Sequence, residues 1–65
     1  MTTESAQITA DEARAARKEA GLTQQQSADL LGVHLTTWQR WEYGKREMPL
    51  GQLEMFLILS KEPTP

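Results

Sequence analysis

Val33-His34-Leu35-Thr36-Thr37-Trp38-Gln39-Arg40-Trp41-Glu42-Tyr43-Gly44-Lys45-Arg46 is the stretch around which the rest of the chain is arranged. At helical spacing Trp38 and Trp41 lie three apart and share a bulky apolar face. Leu35, Thr36, Gln39, Arg40 and Tyr43 recur at steps of three and four on another face, short and mostly polar, with an arginine and an amide. Gly44 is a natural helix stop, and Lys45 and Arg46 place two positive charges beside it. A helix that packs on one side and offers hydrogen-bond donors on the other suits a DNA major groove. Periodicity alone favours a plainer reading, an amphipathic core helix with a solvated polar face. The residues upstream change that.

Immediately before the stretch, Gly32-Val33-His34 reads as a tight turn. Glycine suits a left-handed backbone position, Val33 plugs the gap between two helices, and His34 takes the N-cap of the next helix, although histidine is a weak cap. Further back, Thr23-Gln24-Gln25-Gln26 is a capping box with Gln26 in the reciprocal place. The helix it opens runs to Leu31 and stops at Gly32. About two turns are too few to be stable alone, so tertiary packing must hold it, with Leu22, Ala28 and Leu31 facing inward. The glutamine run is either a solvated surface or, at a helix start, a source of amide donors for a phosphate.

Thr9-Ala10-Asp11-Glu12 is another capping box, and its acidic residues suit the positive end of the helix dipole. Ala10, Ala13, Ala15, Ala16 and Ala20 favour helix as far as Ala20, and Gly21 ends it. Ala13, Ala16 and Ala20 form a small-residue stripe that lets another helix approach closely. Residues 1–8 are polar and aperiodic, which reads as a mobile tail with Ile8 docking onto the first helix.

Downstream, Glu47-Met48-Pro49 reads as a connection and Leu50 to Ser60 as a fourth helix, weakened at Gly51. With Leu53 at the centre of its core face, Leu50, Phe56 and Leu57 fall within about 60° of it at 3.6 residues per turn. Met55, Ile58 and Leu59 fall on the opposite side. A large exposed apolar patch usually marks an interface, so these three are expected to form a self-association face. Residues 61–65 read as a disordered tail. No internal repeat is present, and no strand with a partner is expected. The domain therefore spans 9–60.

Composition bounds the chemistry. Sixty-five residues make one small domain with a modest core. There is no cysteine, hence no disulfide or thiolate metal site, and one histidine cannot build a metal site alone. With no disulfide or metal, a chain of this size needs a well-packed helical core or a partner chain. An enzyme is disfavoured: a cysteine nucleophile, a second histidine and a glycine-rich phosphate loop are all missing, and Asp11-Glu12 stand where a helix start wants acids. No cofactor is implied. No apolar run approaches the roughly 20 residues of a membrane span, and the N-terminus lacks a signal-peptide pattern, so a cytoplasmic location is expected. The net charge of −2 and pI near 5.2 run against the basic footprint usual for nucleic-acid binding. Distribution matters more. From His34 to Pro49, Arg40, Lys45 and Arg46 face Glu42 and Glu47, and the excess grows if Glu42 is used internally.

Gly21-Leu22-Thr23-Gln24, Ala28, Leu31-Gly32-Val33 and Trp41-Glu42-Tyr43-Gly44-Lys45-Arg46 together resemble the Cro/XRE family of helix-turn-helix DNA-binding domains, over roughly Asp11 to Leu59. The resemblance implies an all-α, compact four- to five-helix lambda-repressor-like fold. It implies base reading by Leu35, Thr36, Gln39 and Arg40, and contacts to DNA phosphates by Gln24, His34, Tyr43, Lys45 and Arg46. Arg17 and Glu42 match a pair that forms a buried salt bridge in several relatives. The chain departs from the family at Ser27, usually a larger apolar residue, at Leu30, usually polar, at Trp38, usually a small aliphatic, and at Leu35, usually a polar base reader. The larger indole of Trp38 is expected to fill the space left at Ser27.

These readings lead to a sequence-specific regulator of double-stranded DNA, most simply a repressor or autorepressor. A homodimer through Met55, Ile58 and Leu59 would set two recognition helices about 34 Å apart, one DNA turn, on an inverted-repeat operator. The competing expectation is a protein-interaction module, such as an antitoxin whose partner is a toxin, which the acidic pI and apolar fourth helix also suit.

Overall fold

The computed structural model of the chain describes residues 7–61. The elements run β1 (Gln7–Ile8), α1 (Ala10–Ala20), α2 (Gln24–Leu31), α3 (Leu35–Glu42), β2 (Met48–Pro49) and α4 (Leu50–Lys61). The fold is all-α, with four helices among the described residues and one short ladder.

Local chemistry sets the first two helices. Thr9 and Thr23 each accept from the backbone N–H three residues on, and the Glu12 and Gln26 side chains return the bond to the cap backbone. Both helices end on glycine in the left-handed region, Gly21 at φ 73° and Gly32 at φ 72°, where a Cβ would be strained. These abrupt stops turn the chain and let α3 and α4 each pack against both α1 and α2. His34 caps α3 by backbone geometry alone, without a side-chain bond.

The core is Ala13, Ala28, Trp38, Trp41, Met48 and Phe56. Trp38 sits at its centre. Its ring meets Trp41 edge-on, with centroids 5.6 Å apart and planes at 67°, and Phe56 at 5.1 Å and 42°. Such tilted aromatic pairs add to the energy of burial itself. Ala13 and Ala28 are small enough to let α1 and α2 close onto these rings, and partly buried apolar residues, Ile8, Leu22, Leu30, Leu31, Leu53 and Leu57 among them, pack around this centre. Ser27 and Trp38 are both fully buried.

The structure corrects several expectations. Gln7 and Ile8 are not part of a free tail, and a partnered strand does exist: Gln7 pairs with Pro49 and Ile8 with Met48, antiparallel. Two residues are too short to leave a period in the sequence, and proline is tolerated at a sheet edge. Second, Met48 is more than a connection, being fully buried in the core. Third, Leu50, the first residue of α4 directly after β2, is 40% exposed rather than on the core face. Helix α4 also continues through Lys61. The expected tail segments 1–6 and 62–65 lie outside the described residues.

Candidate nucleic-acid interface

Helix α3 is anchored from behind by one carboxylate. Glu42 is 1% exposed, and three elements converge on it. Arg17 of α1 grips it with two nitrogens, Nε on Oε2 and Nη2 on Oε1 at 3.2 Å. Gln24 of α2 donates Nε2 to Oε1 at 3.2 Å. Trp38, one turn earlier in α3, donates its indole N–H to Oε2. Arg14 adds an Nη2 bond to the Glu42 carbonyl at 3.1 Å, and its Nε lies 3.7 Å from Oε1. Arg17 also donates to the Leu22 carbonyl after Gly21, at 3.1 Å. Burial alone would raise the Glu42 carboxyl, but the bonds from Arg17, Trp38 and Gln24 outweigh it and hold the carboxyl below its ordinary value. Its hydrogen bond in turn raises the Arg17 guanidinium. A buried ion pair satisfied in this way is costly to break on one side.

The outward side of α3 differs in kind. Thr36 and Arg40 are exposed, and Leu35 and Gln39 are half-buried. His34 before the helix and Tyr43 after it are exposed, as are Lys45 and Arg46. The turn past the helix is pinned to it: the backbone N–H groups of Lys45 and Arg46 both donate to the Arg40 carbonyl, at 2.9 and 3.2 Å. Gly44, at φ 76°, makes the reversal. Arg40 and Arg46 consequently border one cleft of about 490 Å³, together with Thr37 and Gln52. Glu42 is withdrawn and paired with Arg17, so Arg40, Lys45 and Arg46 face only Glu47 in this segment. The face is basic although the chain is acidic.

Gln24 is placed differently from a simple phosphate donor. Its Nε2 donates to Glu42 Oε1 and, at 3.3 Å, to Tyr43 Oη. Both amide hydrogens are therefore used within the protein. Its Oε1 accepts from Gln39 Nε2 at 3.3 Å and lies 3.5 Å from Tyr43 Oη. A phosphate contact from this side chain requires the Tyr43 bond to be given up.

On α4, Met55 is 49% exposed and Ile58 59%, and Leu59 is partly buried. Leu50 joins the exposed apolar residues of this helix. Sequence reasoning did not find Arg14, the donor role of Trp38, or the buried Ser27 hydroxyl, which has no hydrogen-bond partner among the described residues. Arg14 stands three residues before Arg17, on the same face of α1, and that spacing is the signal that could have found it. No helix among the described residues is long and apolar enough to cross a membrane.

The sequence profile of the helix-turn-helix domain family matches residues 10–59, from the first residue of α1 almost to the end of α4. No curated protein matches the chain.

Proposed function

We propose, from the premise that this chain belongs to the helix-turn-helix domain family, that it is a cytoplasmic, sequence-specific repressor that binds an inverted-repeat operator as a homodimer. The observation that carries this reading is the division of α3. Trp38, Trp41 and Glu42 are buried, while Thr36 and Arg40 face outward beside Lys45 and Arg46. A helix held from behind can enter the major groove without the cost of ordering its backbone.

In this reading Arg40 donates a bidentate pair to guanine O6 and N7. Thr36 bonds a base edge or packs its methyl on thymine, Leu35 meets a thymine methyl, and Gln39 reads a base. Lys45 and Arg46, pinned to the end of α3, neutralise phosphates and fix the register, with His34, Tyr43 and Gln24 as further phosphate contacts. Met55, Ile58 and Leu59 join two copies. Occupying the operator then blocks a promoter. The chain carries out binding rather than catalysis.

The experiment is selection from a random duplex DNA pool at about 150 mM salt, where purely phosphate-driven binding is weakened. An inverted repeat with half-sites about one turn apart is expected. A single half-site would keep the recognition helix and remove the dimer. No enrichment by folded protein would transfer the apolar residues of α4 to the other reading, an interaction module with a different protein as partner.

A further inference from the structure

Glu54 and Lys61 stand two helical turns apart on α4, both exposed, and neither has an ion-pair partner among the described residues. Their separation along the helix axis is about 10.5 Å, so they cannot bond each other within one chain. Around the helix, at about 100° per residue, they lie together, about 40° and 60° to one side of Ile58. Met55 lies about 60° to the other side, with Leu59 beyond it. Ile58 is 59% exposed and Met55 49%. The outward face of α4 is thus an apolar centre with one charged margin, an acid toward one end and a base toward the other.

We infer that this face is built for a second copy of the chain, crossing antiparallel with Ile58 at the two-fold axis. In such a crossing, a residue some positions before Ile58 meets the partner's residue the same number of positions after it. Glu54 precedes Ile58 by four and Lys61 follows it by three. Each Glu54 therefore arrives within about 1.5 Å, along the axis, of the partner's Lys61. The two-fold brings like margins together, so both pairs form at once, in the way that flanking charges set the orientation of a coiled coil. A parallel crossing brings opposite margins together. Glu54 and Lys61 would then face the side of Met55 and Leu59, which carries no charge. A different protein would have to supply a base and an acid at this spacing, whereas a second copy supplies both. This inference rests on the proposed homodimer and goes further by fixing which way round the copies meet and which charges select the pairing.

Sedimentation of charge-swapped variants tests it. Glu54→Lys leaves only bases on the margin, and Lys61→Glu leaves only acids. At about 50 mM salt, where screening is modest, each alone is expected to dimerise about 10-fold more weakly than the parent, since two attractions become repulsions. Mixed in equal amounts, the two variants should recover the dimer. Both positions are exposed, and circular dichroism checks that each variant is folded. Oxidation gives a second measurement, because the chain has no cysteine of its own. Ile58→Cys should cross-link two copies at the axis, and faster than Met55→Cys, whose mates lie about 9 Å apart along it. Equal rates overturn the antiparallel crossing. A mixture that stays as weakly associated as its components overturns the charge pairing. A parent that remains monomeric overturns the second copy as occupant. None of these measurements uses DNA, so base reading by α3 stands or falls separately, on the duplex selection.

Discussion

Trp38 and Glu42 are joined within one helix: the indole N–H of the first donates to the Oε2 of the second, one turn on. The same carboxylate oxygen takes Nε of Arg17. The largest buried side chain of the core thus also supplies a donor to a buried charge. Core packing and the ionic anchor of α3 cannot be altered separately.

Arg17→Met should therefore destabilise the domain by about 3–5 kcal/mol, because a buried carboxylate loses its charge partner. Trp38→Phe should cost about 1.5–3 kcal/mol for the lost bond to a charged acceptor, before any packing loss. Denaturant titration of both variants measures this. Arg17→Met combined with Glu42→Met should recover most of the Arg17→Met loss. A double variant less stable than the single one would show that the pair is not a unit.

Acid should weaken the fold through Glu42. Its carboxyl lies below the ordinary value of 4.5 in the folded state. Its contribution is complete above the unfolded value and is lost as pH falls through the lower folded one. Melting temperature measured from pH 7 down to pH 2 should fall more steeply below about pH 4.5 for the parent than for Glu42→Gln. Parallel curves would mean that Glu42 is not the linked group.

Ser27→Ala should stabilise. The hydroxyl is buried with no partner among the described residues, and removing an unsatisfied buried group recovers about 1–3 kcal/mol of desolvation. Alanine is also the better helix former. A lower melting temperature for Ser27→Ala would show that the hydroxyl has a partner in solution.

Arg40→Ala and Lys45→Ala should separate specificity from affinity. The first should cost about 1–3 kcal/mol on the selected operator and relax one base position. The second should weaken all sequences alike and lower the salt slope by about one. Fluorescence anisotropy over a salt series distinguishes them, and an operator bound equally well by Arg40→Ala would remove Arg40 from base reading.

Met55→Asp combined with Ile58→Asp should give a folded monomer that binds operator DNA much more weakly. Both side chains are largely exposed, so the fold itself should tolerate the charges. Sedimentation reads the mass directly. An unchanged mass would place any self-association elsewhere.

Much of the fold was legible because its punctuation is chemical. Thr9 with Glu12, Thr23 with Gln26, and the glycines at 21 and 32 each announce a helix end by a local mechanism, and all four ends lie where that mechanism puts them. The two faces of α3 were legible from the spacing of Trp38 and Trp41. What escaped was set by three-dimensional proximity. Gln7–Ile8 leave no trace of a strand because their pairing depends on where Met48 arrives. Helix α4 is apolar nearly all round, so its period could not say that Leu50 would be exposed. The Gln24 amide was read as a phosphate donor from its place at a helix start, and only the arrival of Glu42 and Tyr43 shows where its hydrogens go.

The pairing of Ile8 with Met48 joins positions 40 residues apart in sequence, and this has a kinetic consequence. Helices α2 and α3 meet across a three-residue turn, so their docking closes a short loop quickly. The ladder closes a loop many times longer, whose entropic cost must be met before its few bonds repay it. It should form late in folding and open first in the native state, detectable as rapid hydrogen exchange at the Ile8 and Met48 amides. Because α4 starts directly after Pro49, each such opening would loosen its first turn.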